Sequence, residues 1–243
     1  MSIHPGRVVL QIVSIGTAAL LTACGSSTLM VITGTAAKGA PLAGSVEATC
    51  ATGKGAATVE SNGSYRVDVF DGQGPCLLKL TPTGGGTPLY SVTTGTGSNV
   101  VANITPLTNM FVQDFLLKLD GAAAGQSTPA AWFSLPAARS LLAQPTAVTN
   151  LVTNYFLPSL DTLPGVTVPS GLGAGILSSA FSATAGDPQD DFLEALSSGP
   201  SAVFDPITLS PLPAVSITLT TAAQEAPAIP AQTTGGSFTG GGN

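Results

Sequence analysis

Apolar and polar residues alternate with a period of two through the first part of this chain. The pattern changes to a helical period near position 105. Short runs rich in Val, Thr, Leu and Ala, separated by Gly, Pro and Asn, predict strands at 29–35, 45–51, 56–60, 64–70, 76–81, 89–94 and 99–104. Alternation is clearest in Val46, Ala48 and Cys50, and again in Cys76, Leu78 and Leu80. Side chains at every second position share one face of a strand, so both cysteines are expected to point inward, as a staple across the core. Asn62-Gly63, between two of these runs, is the residue pair that a tight hairpin turn favours.

After Ile104 the spacing changes. Thr105 is placed to cap a helix whose first residue is Pro106, and Leu107, Met110, Phe111, Phe115 and Leu119 then recur at helical spacing. Shorter helices are expected at 129–133, 136–142 and 145–157, each opened by proline. In the last of these, Val148, Leu151, Val152, Tyr155 and Phe156 make one apolar face. Residues 161–174 read as loop, and 175–181 fit strand or helix equally. Asp187-Pro188 opens a helix through about Leu196. Val215, Ile217 and Leu219 alternate with Ser216, Thr218 and Thr220, which predicts a half-buried strand. From residue 222 to 243 the chain is Ala/Pro-rich and then Gly-rich, and is expected to be flexible.

One apolar run lies outside this scheme. Residues 8–21 follow a single positive charge, Arg7, and are too few for a membrane-spanning helix, which needs ~20. The run suits the apolar core of an export signal and ends in Leu21-Thr22-Ala23-Cys24. That sequence resembles the lipobox of bacterial lipoproteins. The resemblance implies lipid attachment at Cys24, cleavage before it, and a membrane partner reached through the acyl chains. It also implies that Gly25, where an aspartate would retain the protein in the inner membrane, directs it to the outer one. The expected organisation is a signal over 1–23, a tether over 24–28, a sandwich over 29–104, a helical segment with a late strand over 105–221, and a tail over 222–243. The fold class is α+β.

Cleavage would leave 220 residues with six basic and thirteen acidic side chains, a net charge of −7. Only 8% of the whole chain is charged, against ~25% in ordinary soluble proteins. No Lys/Arg cluster supplies the footprint of nucleic-acid binding. The sole histidine, His4, leaves with the signal. Its loss removes Ser-His-Asp and Cys-His nucleophile systems and imidazole zinc sites. With Cys24 assigned to lipid, Cys50 and Cys76 remain as a pair in an oxidising compartment. They are expected to form a disulfide, two buried thiols being the alternative.

Gly34, the run Gly39-Ala40-Pro41-Leu42-Ala43-Gly44 and the turn Ser61-Asn62-Gly63-Ser64-Tyr65 resemble the carboxypeptidase regulatory-like, or transthyretin-like, sandwich family. Ser45 stands where that family often has alanine. The motifs are turn chemistry, so they imply a β-sandwich and bring no catalytic residue. The junction Asn103-Ile104-Thr105-Pro106-Leu107-Thr108 resembles the one that follows such sandwiches in bacterial surface proteins and lipoproteins.

Candidate chemistry is sparse. No nucleophile-elbow, Ser-x-x-Lys or aspartic-protease motif occurs, and the Gly84-Gly85-Gly86 run lacks the lysine of a phosphate loop. Asp187, Asp190, Asp191 and Glu194 are close enough in sequence to suggest calcium ligands. Capping by Asp187, with first-turn acids offsetting the helix dipole, is the favoured account. Trp132, Phe133, Tyr65 and Tyr90 are read as core or half-buried residues rather than a ligand groove. The expectation is therefore a non-catalytic, lipid-anchored envelope module without cofactor or metal, binding an envelope protein or glycan. The alternatives are a carboxylate-dependent glycan hydrolase and an accessory subunit of an export system.

Overall fold

The computed structural model describes residues 28–119, 126 and 128–228; the expected export signal, Cys24 and the end of the expected tail lie outside them. The chain is α+β: among the described residues, seven strands are followed by a run of short helices. The strands are β1 (Leu29–Thr35), β2 (Gly44–Thr52), β3 (Lys54–Thr58), β4 (Ser64–Phe70), β5 (Gln73–Pro82), β6 (Leu89–Val92) and β7 (Asn99–Val101). They form one sheet of order β4-β1-β7 and a second of order β3-β2-β5-β6. All neighbours are antiparallel except β1 and β7. Burial alternates along β2 and β4 as the period-two pattern requires, and the inward residues of both sheets belong to one core.

Two expectations about the strands change. The Asn62-Gly63 turn forms, with Gly63 at φ 85° and the Ser64 N–H donating to Asn62 Oδ1, but it does not make a hairpin. The strand before it pairs with β2 and the strand after it with β1, so the turn is a corner between sheets. A tight hairpin does form between β2 and β3, turning at Gly53, φ 82°, where no Asn-Gly or Asp-Gly pair announces it. Likewise Cys50 and Cys76 are both buried, but they stand opposite each other on the neighbouring strands β2 and β5. At disulfide distance, S–S 1.99 Å, they join two strands of one sheet rather than the two faces of the core.

The helices are α1 (Pro106–Met110), α2 (Pro129–Ser134), α3 (Pro136–Leu142), α4 (Pro145–Leu151), α5 (Leu157–Asp161), α6 (Gly175–Ser178), α7 (Pro188–Ser197) and α8 (Pro213–Glu225). A π-helical turn, Phe111–Phe115, prolongs α1, and another, Val152–Phe156, joins α4 to α5. Phe111, Phe115 and Phe156 meet between these turns with ring centroids 5.2–5.9 Å apart. The 175–181 segment resolves into the single turn of α6.

The late strand does not exist. Residues 215–220 lie within α8, where Val215, Leu219, Ala222 and Ala223 are buried, as is Ala226 just after it, and Ile217 is 68% exposed. Three apolar residues at even spacing fit a strand, but Pro213 at the first helical position and the alanines beyond 221 extend a helical stripe through them. The packed chain accordingly runs past residue 222, through Ala226. The sheets and helices share one continuous hydrophobic core, so position 104/105 separates strands from helices without separating two cores. Among the described residues no helix is long and apolar enough to cross a membrane.

Candidate functional site

The polar residues of the 103–109 junction, Asn103, Thr105, Thr108 and Asn109, are fully or almost fully buried and occupied with structure. Thr105 Oγ1 accepts from the Thr108 N–H at 3.1 Å and Thr108 Oγ1 accepts from the Thr105 N–H at 3.0 Å, a reciprocal capping box on α1. Strand β6 ends the second sheet, and α1 covers that edge. Asn109 Oδ1 accepts from the Tyr90 N–H at 3.0 Å, and Thr108 Oγ1 donates to the Tyr90 carbonyl at 3.2 Å. Side chains here stand in for a missing strand, which blunts an edge otherwise open to pairing. Asn103 works on the other side. Its Oδ1 accepts from the Thr35 N–H at 3.3 Å, and its Nδ2 donates to the Ser179 carbonyl at 2.7 Å. Thr35 Oγ1 adds a bond to the Phe181 carbonyl at 2.7 Å, so the 176–181 segment is fastened to β1. None of these groups is left for a ligand.

The acidic cluster is likewise local. Asp187 Oδ1 accepts from the N–H groups of Gln189 and Asp190, and its Oδ2 from the Ser182 N–H. Asp191 Oδ1 accepts from the Gly186 N–H, and Glu194 is exposed. Asp190 differs: it is 2% exposed and its Oδ1 has no hydrogen-bond partner. Burial, then the neighbouring charges of Asp187, Asp191 and Glu194, pushes its carboxyl above the usual range. Among the described residues no group of three or more His, Cys, Asp and Glu is arranged to hold a metal ion.

The aromatics divide as core and half-core. Trp132 is fully buried, Phe133 and Tyr65 nearly so, and Tyr90 is half-buried. Tyr65 donates its hydroxyl to the Ala102 carbonyl, and burial pushes its phenol well above the ordinary value.

Two grooves open on either side of the stretch from the second π-turn through α5. The larger, of about 420 Å³, runs between this stretch and α8. Tyr155 and Ile217 give it apolar surface, and Asn154, Thr218, Thr221 and Glu225 give it polar groups. The Thr218 and Thr221 hydroxyls donate to carbonyls of their own helix, Ala214 and Ile217, so their oxygens face a ligand as acceptors. Below α8, Asp114 is half-buried; burial raises its carboxyl, while the Ser216 hydroxyl and Lys118 draw it back. The smaller groove, about 330 Å³, lies against the 168–173 loop and contains Asp161, whose Oδ1 accepts from the Val168 N–H at 3.0 Å. Each groove holds one carboxylate, and a carboxylate-only glycosidase mechanism needs two in the same cleft. Sequence reasoning did not find the larger groove, because its walls come from a helix that the alternation of residues 215–220 disguised as a strand.

No family model matches this chain, and no curated protein and no solved structure is detectably similar to it.

Proposed function

We propose that this chain is a lipid-anchored, non-catalytic module of the bacterial cell envelope, tethered to the outer membrane through Cys24 and serving in binding or scaffolding. The observation that carries the reading is the ordered series of Arg7, the apolar run 8–21 and Leu21-Thr22-Ala23-Cys24. We assign the strand region to the carboxypeptidase regulatory-like, or transthyretin-like, sandwiches. Two sheets closing on one core, and a Gly63 turn leading into the buried Tyr65, are consistent with that assignment.

The non-catalytic part rests on the chemistry available. A chain cleaved before Cys24 has no imidazole, and neither groove unites two carboxylates. The binding face that fits best is the groove between α5 and α8. An apolar wall beside acceptor hydroxyls and Glu225 suits a ligand with its own donors, such as a glycan. The test is metabolic labelling with a palmitate analogue, wild type against Cys24→Ala, together with incubation of the purified protein with cell-wall glycan. The reading expects label on the wild type alone and no soluble fragments. Label on the variant would end the anchor assignment, and fragment release would end the non-catalytic one.

A further inference from the structure

The geometry points to a membrane-seating edge at the start of β1 and the end of β4, formed by Leu29 and Phe70, which rests on the lipid surface and orients the anchored domain. This inference rests on lipid attachment at Cys24. Leu29 and Phe70 are opposed in the β1–β4 register and are exposed by 41% and 68%. They are two of the few large apolar side chains that the described surface presents to solvent. Four peptide links separate Cys24 from Thr28, and however they run they span no more than ~14 Å. The Thr28 backbone is clasped to the β4–β5 turn: its carbonyl accepts from the Asp71 N–H at 2.7 Å, and its N–H donates to Asp71 Oδ1 at 3.2 Å. An acylated Cys24 therefore keeps this end of the sheet near the bilayer and leaves the opposite end far from it.

The outward face of the β1–β4 pair is graded to match. Leu29 faces Phe70 at the tether end; one step inward Val31 faces Asp68, and one step further Thr33 faces Arg66, which pairs with Asp68 at 2.9 Å. The order is apolar at the tether end and ionic beyond it, as depth in the headgroup region demands. Gly53 packs against the Phe70 backbone, which brings the exposed Lys54 to the same end as a cation for anionic headgroups. Asp71 is the nearest acid, and its Oδ1 is directed onto the Thr28 N–H.

The experiment uses the acylated full-length lipoprotein in phosphatidylethanolamine/phosphatidylglycerol vesicles with and without a nitroxide near the headgroups. Phe70→Trp places a fluorophore at the edge. Ser61→Trp places one in the exposed turn at the other end of β4, ~20 Å away. Emission of the buried Trp132 is measured in the parent and subtracted. The expected result is about twofold quenching of the added emission in Phe70→Trp, with Ser61→Trp unchanged. Vesicle flotation separates the two ideas. Protein that floats with its Phe70→Trp emission unquenched, or with both positions quenched alike, overturns the seating edge and leaves the anchor standing. Protein that does not float overturns both.

Discussion

Replacing Asn103 by alanine removes a side chain that joins β1 to the segment after α6. Asn103 is fully buried. In Asn103→Ala the Thr35 N–H loses its acceptor, and orphaning a buried donor costs ~1–3 kcal/mol. The Ser179 carbonyl loses its donor, but Ser179 is at the surface and water replaces the bond, so only ~0.5–1.5 kcal/mol is added. The longer contact of Asn103 Nδ2 to the Ile176 carbonyl, 3.5 Å, contributes little, because Gln189 Nε2 also donates there at 3.2 Å. The sum is a loss of ~2–4 kcal/mol, or roughly 4–16 °C in Tm for a chain of this size. Urea unfolding followed by circular dichroism measures it. Asn103→Asp is the companion variant: it keeps the acceptor for Thr35 but puts a buried negative charge beside carbonyl oxygens. Its folded carboxyl is therefore raised, and its stability falls as pH rises above the unfolded value of ~3.9. A loss below ~0.5 kcal/mol for Asn103→Ala, or an Asn103→Asp variant as stable at pH 7 as at pH 4, would refute the clasp.

Four further outcomes follow from the same geometry. Thr105→Ala should cost ~1–2 kcal/mol in urea unfolding, since it removes the capping box from a buried helix start. Reducing Cys50–Cys76, or replacing both with alanine, should cost ~3 kcal/mol for a loop of 26 positions; equal urea midpoints with and without reductant would contradict the pairing. Asp190→Asn should raise Tm at pH 7. The native carboxyl is raised, so its ionisation destabilises the fold as pH climbs above ~4, and the variant should flatten that slope in a pH series of melts. Ile217→Asp should be tolerated within ~0.5 kcal/mol while Leu219→Asp unfolds the protein; a strand through residues 215–220 would make the two equally harmful.

Much of the fold is legible in the residues because the signals are local. All the strand runs, the cap at Thr105, the helix starts at Pro129, Pro136 and Pro145, and Asp187 as an N-cap depend on neighbours within four positions. The misread elements are those for which local evidence is degenerate. Val215, Ile217 and Leu219 alternate, but which of them is buried depends on what α8 packs against: the first π-turn on one side, the second and α5 on the other. The Asn62-Gly63 turn has hairpin chemistry, yet the strand before it pairs back onto β2 and the strand after it onto β1, 29–41 positions away, rather than with each other.

The same division holds for the candidate site. The apolar run after Arg7, the Leu21-Thr22-Ala23-Cys24 sequence on which the lipobox resemblance rests, the position of the only histidine ahead of it and the shortage of charge are properties of order and composition, which no fold is needed to read. Sequence phase also placed Cys50 and Cys76 inward. Which strands they would join was decided by pairing β2 with β5, because register is a contact between distant segments and leaves no trace in either one alone. Tertiary structure likewise decided that the junction polar groups are buried clasps, that Asp190 Oδ1 is buried without a hydrogen-bond partner, and that a groove opens beside α8. Each of these depends on which surfaces meet, and burial is set by the whole packed chain rather than by the residues that experience it.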